Sequence, residues 1–244
     1  MHEYTKRQVE IWNEDMRTHG GYFYSSNPPY SAKVAHARIS REIIKSIPTD
    51  TRTIIDFGCG DGMYTAELAL YFPQTQIVAL DPAAVAIDIA KQNFPAIEFY
   101  VADLLDTRTL SDTVYDVGII RAVLHHLPDD SQALAIQNAS QRCRKLIILE
   151  PNGNNPVAKL FEKYSTYHVE HEEKSYTSTA IVNWCRQSQW EQIELIFIGF
   201  VPTFFPEWPA RLVHFVQPFF EKMPLINTYL SAQMVVVCTN TTAE

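Results

Sequence analysis

Cysteine is scarce and scattered. Cys59, Cys143, Cys185 and Cys238 show none of the paired spacings of zinc sites or redox motifs, so they read as reduced thiols. Cations are in deficit: 20 Lys and Arg face 28 Asp and Glu, a formal net charge of −8. That balance disfavours a broad phosphate-binding surface, since nucleic-acid affinity rests on clustered Lys and Arg that release counterions; only a local basic groove stays open. No stretch approaches the roughly 18 uninterrupted apolar residues of a membrane span. The N-terminal MHEYTKRQVEIWNEDM alternates charged and apolar positions at helical spacing and lacks the apolar core of a secretory signal. These absences predict a soluble, cytoplasmic protein.

At 244 residues the chain is read as one domain with extra segments, free of repeats and low-complexity tracts. Its middle alternates short apolar runs with helical patterns, as a parallel sheet with crossover helices does. The predicted strands are Thr53 to Phe57, Gln76 to Leu80, Ile97 to Val101, Tyr115 to Ile120 and Leu146 to Leu149, with two more at Glu194 to Phe200 and Gln233 to Cys238. Tyr64, Leu68, Tyr71 and Phe72 fall at helical spacing between the first two. Asp129, Asp130 and Ser131 offer caps for a helix running to about Cys143. Three segments are surplus to the sheet: 1–50, 151–176 and 201–232. The first predicts two helices, striped by Val9, Trp12 and Met16 and by Ile39, Ile43 and Ile47, on either side of an aromatic loop. The last carries Pro202, Pro206, Pro209, Pro218 and Pro224 and cannot be one straight helix.

The strongest chemical signal is Ile54-Ile55-Asp56-Phe57-Gly58-Cys59-Gly60-Asp61-Gly62, an apolar strand running into three glycines two apart and then a helix. Without a Cβ such a turn adopts positive φ and lets the backbone approach a ligand, and the helix beyond it presents unpaired N–H groups. The next strand ends in Asp81, nineteen residues past Gly62, where an acid can accept hydrogen bonds from a ribose diol. Asp103 follows the third strand. A nicotinamide or flavin site would need G-x-G-x-x-G, and Met63 holds that third position.

Over roughly Thr51 to Pro151 the sequence resembles the class I S-adenosylmethionine-dependent methyltransferases. The resemblance implies an α/β, Rossmann-like, seven-stranded and mostly parallel sheet with helices on both faces, and S-adenosyl-L-methionine as cofactor. It places Asp56, Gly58, Cys59, Gly60 and Gly62 in the cofactor turn, Asp81 and Pro82 at the ribose, and Asp103 with Leu104 at the adenine. Arg121-Ala122-Val123-Leu124-His125-His126-Leu127 looks like the family's segment beneath the cofactor, which puts Arg121 among the cofactor contacts, and Glu150-Pro151 like its fifth-strand ending. The glycine pair common before that strand is replaced by Arg142-Cys143-Arg144-Lys145. On this reading 1–50 is a helical cap, 51–150 the cofactor core, 151–176 and 201–232 lid insertions, and 233–239 the last strand.

Methyl transfer from a sulfonium chiefly needs alignment and exclusion of water, and a base when the acceptor carries a proton. His125 and His126 are the candidate catalytic residues, each also readable as a packing residue; Tyr164, Tyr167, His168 and His171 rank second. Asn27-Pro28-Pro29-Tyr30 spells a motif of amino-group methyltransferases acting on nucleic acid, but its place ahead of the glycine turn and the acidic charge favour a rigid loop, with Tyr22, Phe23, Tyr24 and Tyr30 lining or closing the site. HVEHEE lacks the geometry of a metal site, so no metal is expected. Phe204, Phe205, Trp208, Leu212, Phe215, Val216, Phe219 and Phe220 give the last insertion dense apolar surface, as core, as the wall of a pocket for an aromatic or amphipathic small molecule, or as a membrane-surface contact. A non-catalytic partner subunit and a methyltransferase acting on protein or nucleic acid are the rival functions, and monomer and homodimer both stay open.

Overall fold

A computed structural model describes residues 3–19, 29–106, 113–164, 174–201 and 206–240. The apolar runs form β1 (Thr53–Phe57), β2 (Gln76–Asp81), β3 (Glu98–Val101), β4 (Tyr115–Arg121), β5 (Cys143–Pro151), β6 (Gln192–Ile198) and β7 (Gln233–Thr239), joined in one sheet of order β3-β2-β1-β4-β5-β7-β6. β1 to β5 are parallel and β7 runs antiparallel to both β5 and β6. The central strands are apolar on both faces because both are covered. Ile55, Phe57, Leu80 and Ile120 pack on one side, and Ile54, Ile77, Val117 and Ile119 on the other.

The helices among the described residues are α1 (Glu3–His19), α2 (Tyr30–Ser46), α3 (Met63–Tyr71), α4 (Ala84–Asn93), α5 (Gln132–Ser140), α6 (Pro156–Tyr164), α7 (Ser178–Gln187), α8 (Glu207–Phe220) and α9 (Pro224–Leu230). Ile39, Ile43 and Ile47 of the α2 stripe join the second face of the sheet. Each such side chain contributes about 1.5–3 kcal/mol on burial. On α1 the stripe divides: Val9 and Met16 pack on Ala83 and Ala86, while Trp12 turns to the ring of His126 at 5.1 Å. Among the described residues no helix is long and apolar enough to cross a membrane.

Several boundaries differ from the sequence reading. Cys143 opens β5, opposite Tyr115 of β4, so α5 stops at Ser140; the Cys143 thiol donates to the Ala139 carbonyl at 3.2 Å and closes the helix end. Ser131 is the N-cap of α5 but makes no side-chain capping bond. β6 ends two residues early, at Ile198, because Gly199 takes φ +76. The last insertion is two helices, with Pro218 inside the first. On α8 only Ala210 and Gln217 turn inward, whereas Trp208, Leu212, Phe215 and Phe219 are 75, 54, 82 and 67% exposed. That stripe is therefore neither core nor cavity wall; Phe204 and Phe205 lie outside the described residues.

Candidate functional site

The ends of β1, β2 and β4 are level, Phe57 pairing with Leu80 and with Ile120, and the chain leaves the sheet there in three turns that share one cavity of about 490 Å³. The glycine turn is pinned to β2, for Gly58 and Cys59 both donate to the Leu80 carbonyl, at 2.7 and 3.0 Å. Gly58, Gly60 and Gly62 all have positive φ, at +79, +56 and +79. A Cβ on Gly58 would stand 2.4 Å from Val123 Cγ2. Gly58→Ala is expected to combine that clash with backbone strain of about 1–3 kcal/mol. Gly199→Ala, at φ +76 with no atom within 4 Å of the new Cβ, carries the strain alone. Thermal melts should show the larger drop for Gly58→Ala, by several degrees.

Asp81, 5% exposed, binds back to the turn: Oδ2 accepts from Gly60 N at 3.0 Å and Oδ1 from Ala83 N at 2.8 Å. Burial pushes its carboxyl up to about 6 although those two N–H groups pull it down. Each oxygen keeps a second lone pair for a ligand hydroxyl. Asp103 Oδ1 accepts from Leu105 N at 2.9 Å, while Oδ2 is buried with no partner among the described residues. An orphaned buried carboxylate oxygen is costly, and a ligand amino group would satisfy it. Asp56 is engaged by Thr65 Oγ1 at 2.6 Å and Asp61 Oδ1 by Met63 N at 3.3 Å. The Cys59 thiol, pushed well above its ordinary value by burial and by Asp81, stays protonated and is no nucleophile.

The third turn follows β4, where Ala122 takes the strained φ of +56 and donates to Leu149 at 2.8 Å. It leads to a single 3-10 turn, Leu124–His126, held by one buried carboxylate. Glu150 Oε1 accepts from Val123 N and Leu124 N at 2.9 and 2.7 Å, and Oε2 from His125 N and His125 Nδ1 at 3.3 and 2.7 Å. With Nδ1–H on the carboxylate, the neutral His125 ring carries its lone pair on Nε2. His126 lies 3.9 Å from the His125 ring. Asp56, Gly58, Cys59, Gly60, Asp81, Pro82, Asp103, Leu104, Arg121, His125 and His126 all line the cavity. Gly62 sits behind it as the N-cap of α3, with Phe99 and Ala90 about its Cα.

Residues 54–145 match a family described as a methyltransferase domain. That similarity to methyltransferases rests on the middle of the chain, under half of its length. The chain is 33% identical over 98 residues to trans-aconitate 2-methyltransferase of Azoarcus sp. (strain BH72), covering 40% of this chain and 38% of that one. It is 33% identical over 104 residues to malonyl-[acyl-carrier protein] O-methyltransferase of Bacillus anthracis, covering 42% and 38%. The matched region thus spans less than two-fifths of these relatives. The fold extends further: the N-methyltransferase NodS of Bradyrhizobium japonicum WM9, solved with S-adenosyl-L-homocysteine, aligns at a TM-score of 0.65 and 13% identity over 96% of this chain and 98% of that one. A geranyl diphosphate methyltransferase aligns at 0.66 and 11%, over 96% and 98%.

Other residues of this cavity went unread in the sequence. Gln8 of α1 lines it, 1% exposed, with neither amide atom bonded. Ser175 lines it with its Oγ buried and unpartnered. His36 and Tyr64 line the corner by Arg121. Only buried polarity could have marked these positions, and a sequence does not show burial. Tyr164 is 72% exposed and does not line the cavity. Tyr30 instead carries the Arg211 guanidinium 4.5 Å above its ring. Pro29 is the N-cap of α2 and Tyr30 its first residue. Tyr22, Phe23, Tyr24, Asn27, Pro28, Tyr167, His168 and His171, and with them HVEHEE, lie outside the described residues.

Proposed function

We propose that the protein transfers a methyl group from S-adenosyl-L-methionine to a small amphipathic acceptor held beneath α1, α2 and α6. The observation that carries this reading is the row of groups along the strand ends: the orphaned Asp103 Oδ2, then Asp81, then the glycine turn, then the Glu150-anchored His125, all on one cavity. The first three suit an adenine amino group, a ribose diol and a backbone-cradled chain, in the order in which those parts are joined in the cofactor. A cavity of this size lies in the range of small-molecule sites, about 300–1,000 Å³. The cofactor supplies a methyl already activated on a sulfonium, so the chain's work is to align, to dry and to take a proton. On this reading His125 takes that proton, with Glu150 holding Nδ1 to fix the tautomer and countering the imidazolium. The far wall mixes Trp12, Leu127, Ile198 and Val201 with Gln8, Ser175 and Glu162, which suits an acceptor with a polar group on an apolar body. The relatives that act on trans-aconitate and malonyl-acyl carrier protein make carboxylic acids the first acceptors to screen.

Calorimetric titration should show binding of S-adenosylmethionine and S-adenosylhomocysteine and none of NAD; binding of NAD alone would overturn the reading. With an acceptor in hand, His125→Asn should lower turnover by about 10²–10⁴-fold and leave cofactor affinity within a few-fold. His126→Ala should act mainly on the acceptor KM, since His126 packs on Trp12 of the cavity wall.

A further inference from the structure

Two side chains in the wall of the cavity carry polar atoms that the fold leaves unmatched. Gln8 of α1 is 1% exposed, and among the described residues neither its Nε2 nor its Oε1 has a hydrogen-bond partner. Ser175 is 6% exposed, and its Oγ is likewise without a partner there. The Ser175 backbone, by contrast, is fully used: Glu162 Oε1 accepts from Ser175 N at 3.1 Å, and Lys159 Nζ donates to the Ser175 carbonyl. The main chain is held and the hydroxyl is left over. Buried polar groups are ordinarily paired, and an unmatched one opposes folding, so orphans in a cavity wall are groups kept for what enters the cavity.

Both residues border the turn that carries His125 and His126. Gln8 lies one helical turn from Trp12 on the same face of α1, and the Trp12 ring is 5.1 Å from that of His126. Beside Ser175, Tyr176 Oη accepts from Gln132 Nε2 at 2.6 Å, and the same amide nitrogen reaches the carbonyls of Leu124 and Leu127 at 3.4 and 3.3 Å. Around this turn the cavity offers no spare cation. Its described wall holds five carboxylates, Asp56, Asp61, Asp81, Asp103 and Glu162, against the guanidiniums of Arg38 and Arg121 and no lysine. Arg38 is paired with Glu42 and Glu221 at 2.9 and 3.1 Å. Arg121 lies over the Tyr64 ring, with Glu67 and Asp56 acting on its charge.

We infer that Gln8 and Ser175 select the methyl acceptor by binding a neutral handle that both donates and accepts hydrogen bonds, a primary amide or a hydroxyl, in preference to a carboxylate. The inference rests on the proposed acceptor end of the cavity. Gln8 brings two N–H groups and a carbonyl oxygen, and Ser175 brings a hydroxyl. An amide or a hydroxyl can donate to Gln8 Oε1 or Ser175 Oγ and accept from Gln8 Nε2. A carboxylate only accepts, so it would leave Oε1 orphaned and would itself be desolvated in an acidic wall without a countercharge. Trp12, Leu127, Ile198 and Val201 are the apolar wall for the rest of the molecule.

The test titrates benzamide and benzoate, alike in shape and different in charge, into the S-adenosylhomocysteine complex and follows the broadening of their proton NMR signals. Wild type should bind benzamide about tenfold more tightly than benzoate, or better. Gln8→Met, which keeps the length of the side chain, and Ser175→Ala should each lose roughly fivefold or more in benzamide affinity, with S-adenosylhomocysteine bound as tightly as by wild type. Benzoate binding as tightly as benzamide, or benzamide binding unchanged by either substitution, overturns the inference and leaves the methyltransferase reading intact. The same holds for a wild type that binds S-adenosylhomocysteine and neither probe. A wild type that binds no S-adenosylhomocysteine sinks that reading and the subsite with it. Unliganded, each variant should melt no lower than wild type, because it removes unmatched buried polar atoms; a drop of several degrees would mean that the side chain is already paired within the protein and would also overturn the subsite.

Discussion

Asp81→Asn is expected to weaken S-adenosylmethionine binding by about two orders of magnitude, the equivalent of roughly 3 kcal/mol for two charge-assisted hydrogen bonds to a diol. The amide keeps the volume of the carboxylate but loses one acceptor. Its NH₂ must face either Gly60 N–H or Ala83 N–H, the donors that now approach Oδ2 and Oδ1 at 3.0 and 2.8 Å. A pH series separates this electrostatic role from mere packing. Burial pushes the Asp81 carboxyl up to about 6 in the folded protein, well above the usual carboxylate range. Its folded pKa is raised, so the folded chain holds a proton that the unfolded chain has released. The stability contributed by this group is present at low pH and is lost as pH rises from about 4 to about 6. Ligand binding runs the other way, because a ribose diol needs the carboxylate to accept. Cofactor affinity should fall by roughly tenfold per unit below pH 6 in the wild type and stay flat in Asp81→Asn. A parallel fall in both proteins would place the titrating group elsewhere.

The sheet and the strand-end residues that line the cavity were legible because their signals are local. Thr53–Phe57 is a short strand-forming run built on Ile54, Ile55 and Phe57, and the glycines that follow it take the positive φ their spacing demanded. Asp81 ends β2 and Asp103 follows the end of β3, and those strand ends are level in the structure. What escaped depends on residues far apart in the chain. Tyr64 read only as one position of a helical stripe with Leu68, Tyr71 and Phe72, yet Tyr71 is 60% exposed and Tyr64 stands in the cavity beneath Arg121. Its partners His36 and Arg121 are 28 and 57 residues away. α8 misled for the opposite reason: Leu212, Phe215 and Phe219 have the periodicity of a buried face, and periodicity gives a face without saying which way it turns. Glu150 was visible only as a strand ending, because its four bonds become possible only when β5 lies beside β4.

Glu150→Ala is expected to be the most destabilising single change near the cavity. The carboxylate is 1% exposed and holds three successive backbone N–H groups together with a ring N–H. Those donors cannot turn to solvent, since Leu124 is fully buried and His125 is 7% exposed. Leaving such donors stranded costs about 3–5 kcal/mol, allowing for partial relaxation, and should lower the melting temperature by roughly 6–20 °C for a chain of this size. Glu150→Gln divides the effect. Its carbonyl oxygen can keep the Val123 and Leu124 N–H groups, so most of the stability should remain. Its NH₂ then meets His125 Nδ1 as a donor and drives the imidazole proton to Nε2, the atom proposed to take the acceptor's proton. A variant that melts within a few degrees of wild type and binds S-adenosylhomocysteine normally, yet transfers methyl at least tenfold more slowly, would tie Glu150 to the tautomer of His125. Full activity in Glu150→Gln would show that the carboxylate only supports the turn and that His125 Nε2 takes no proton.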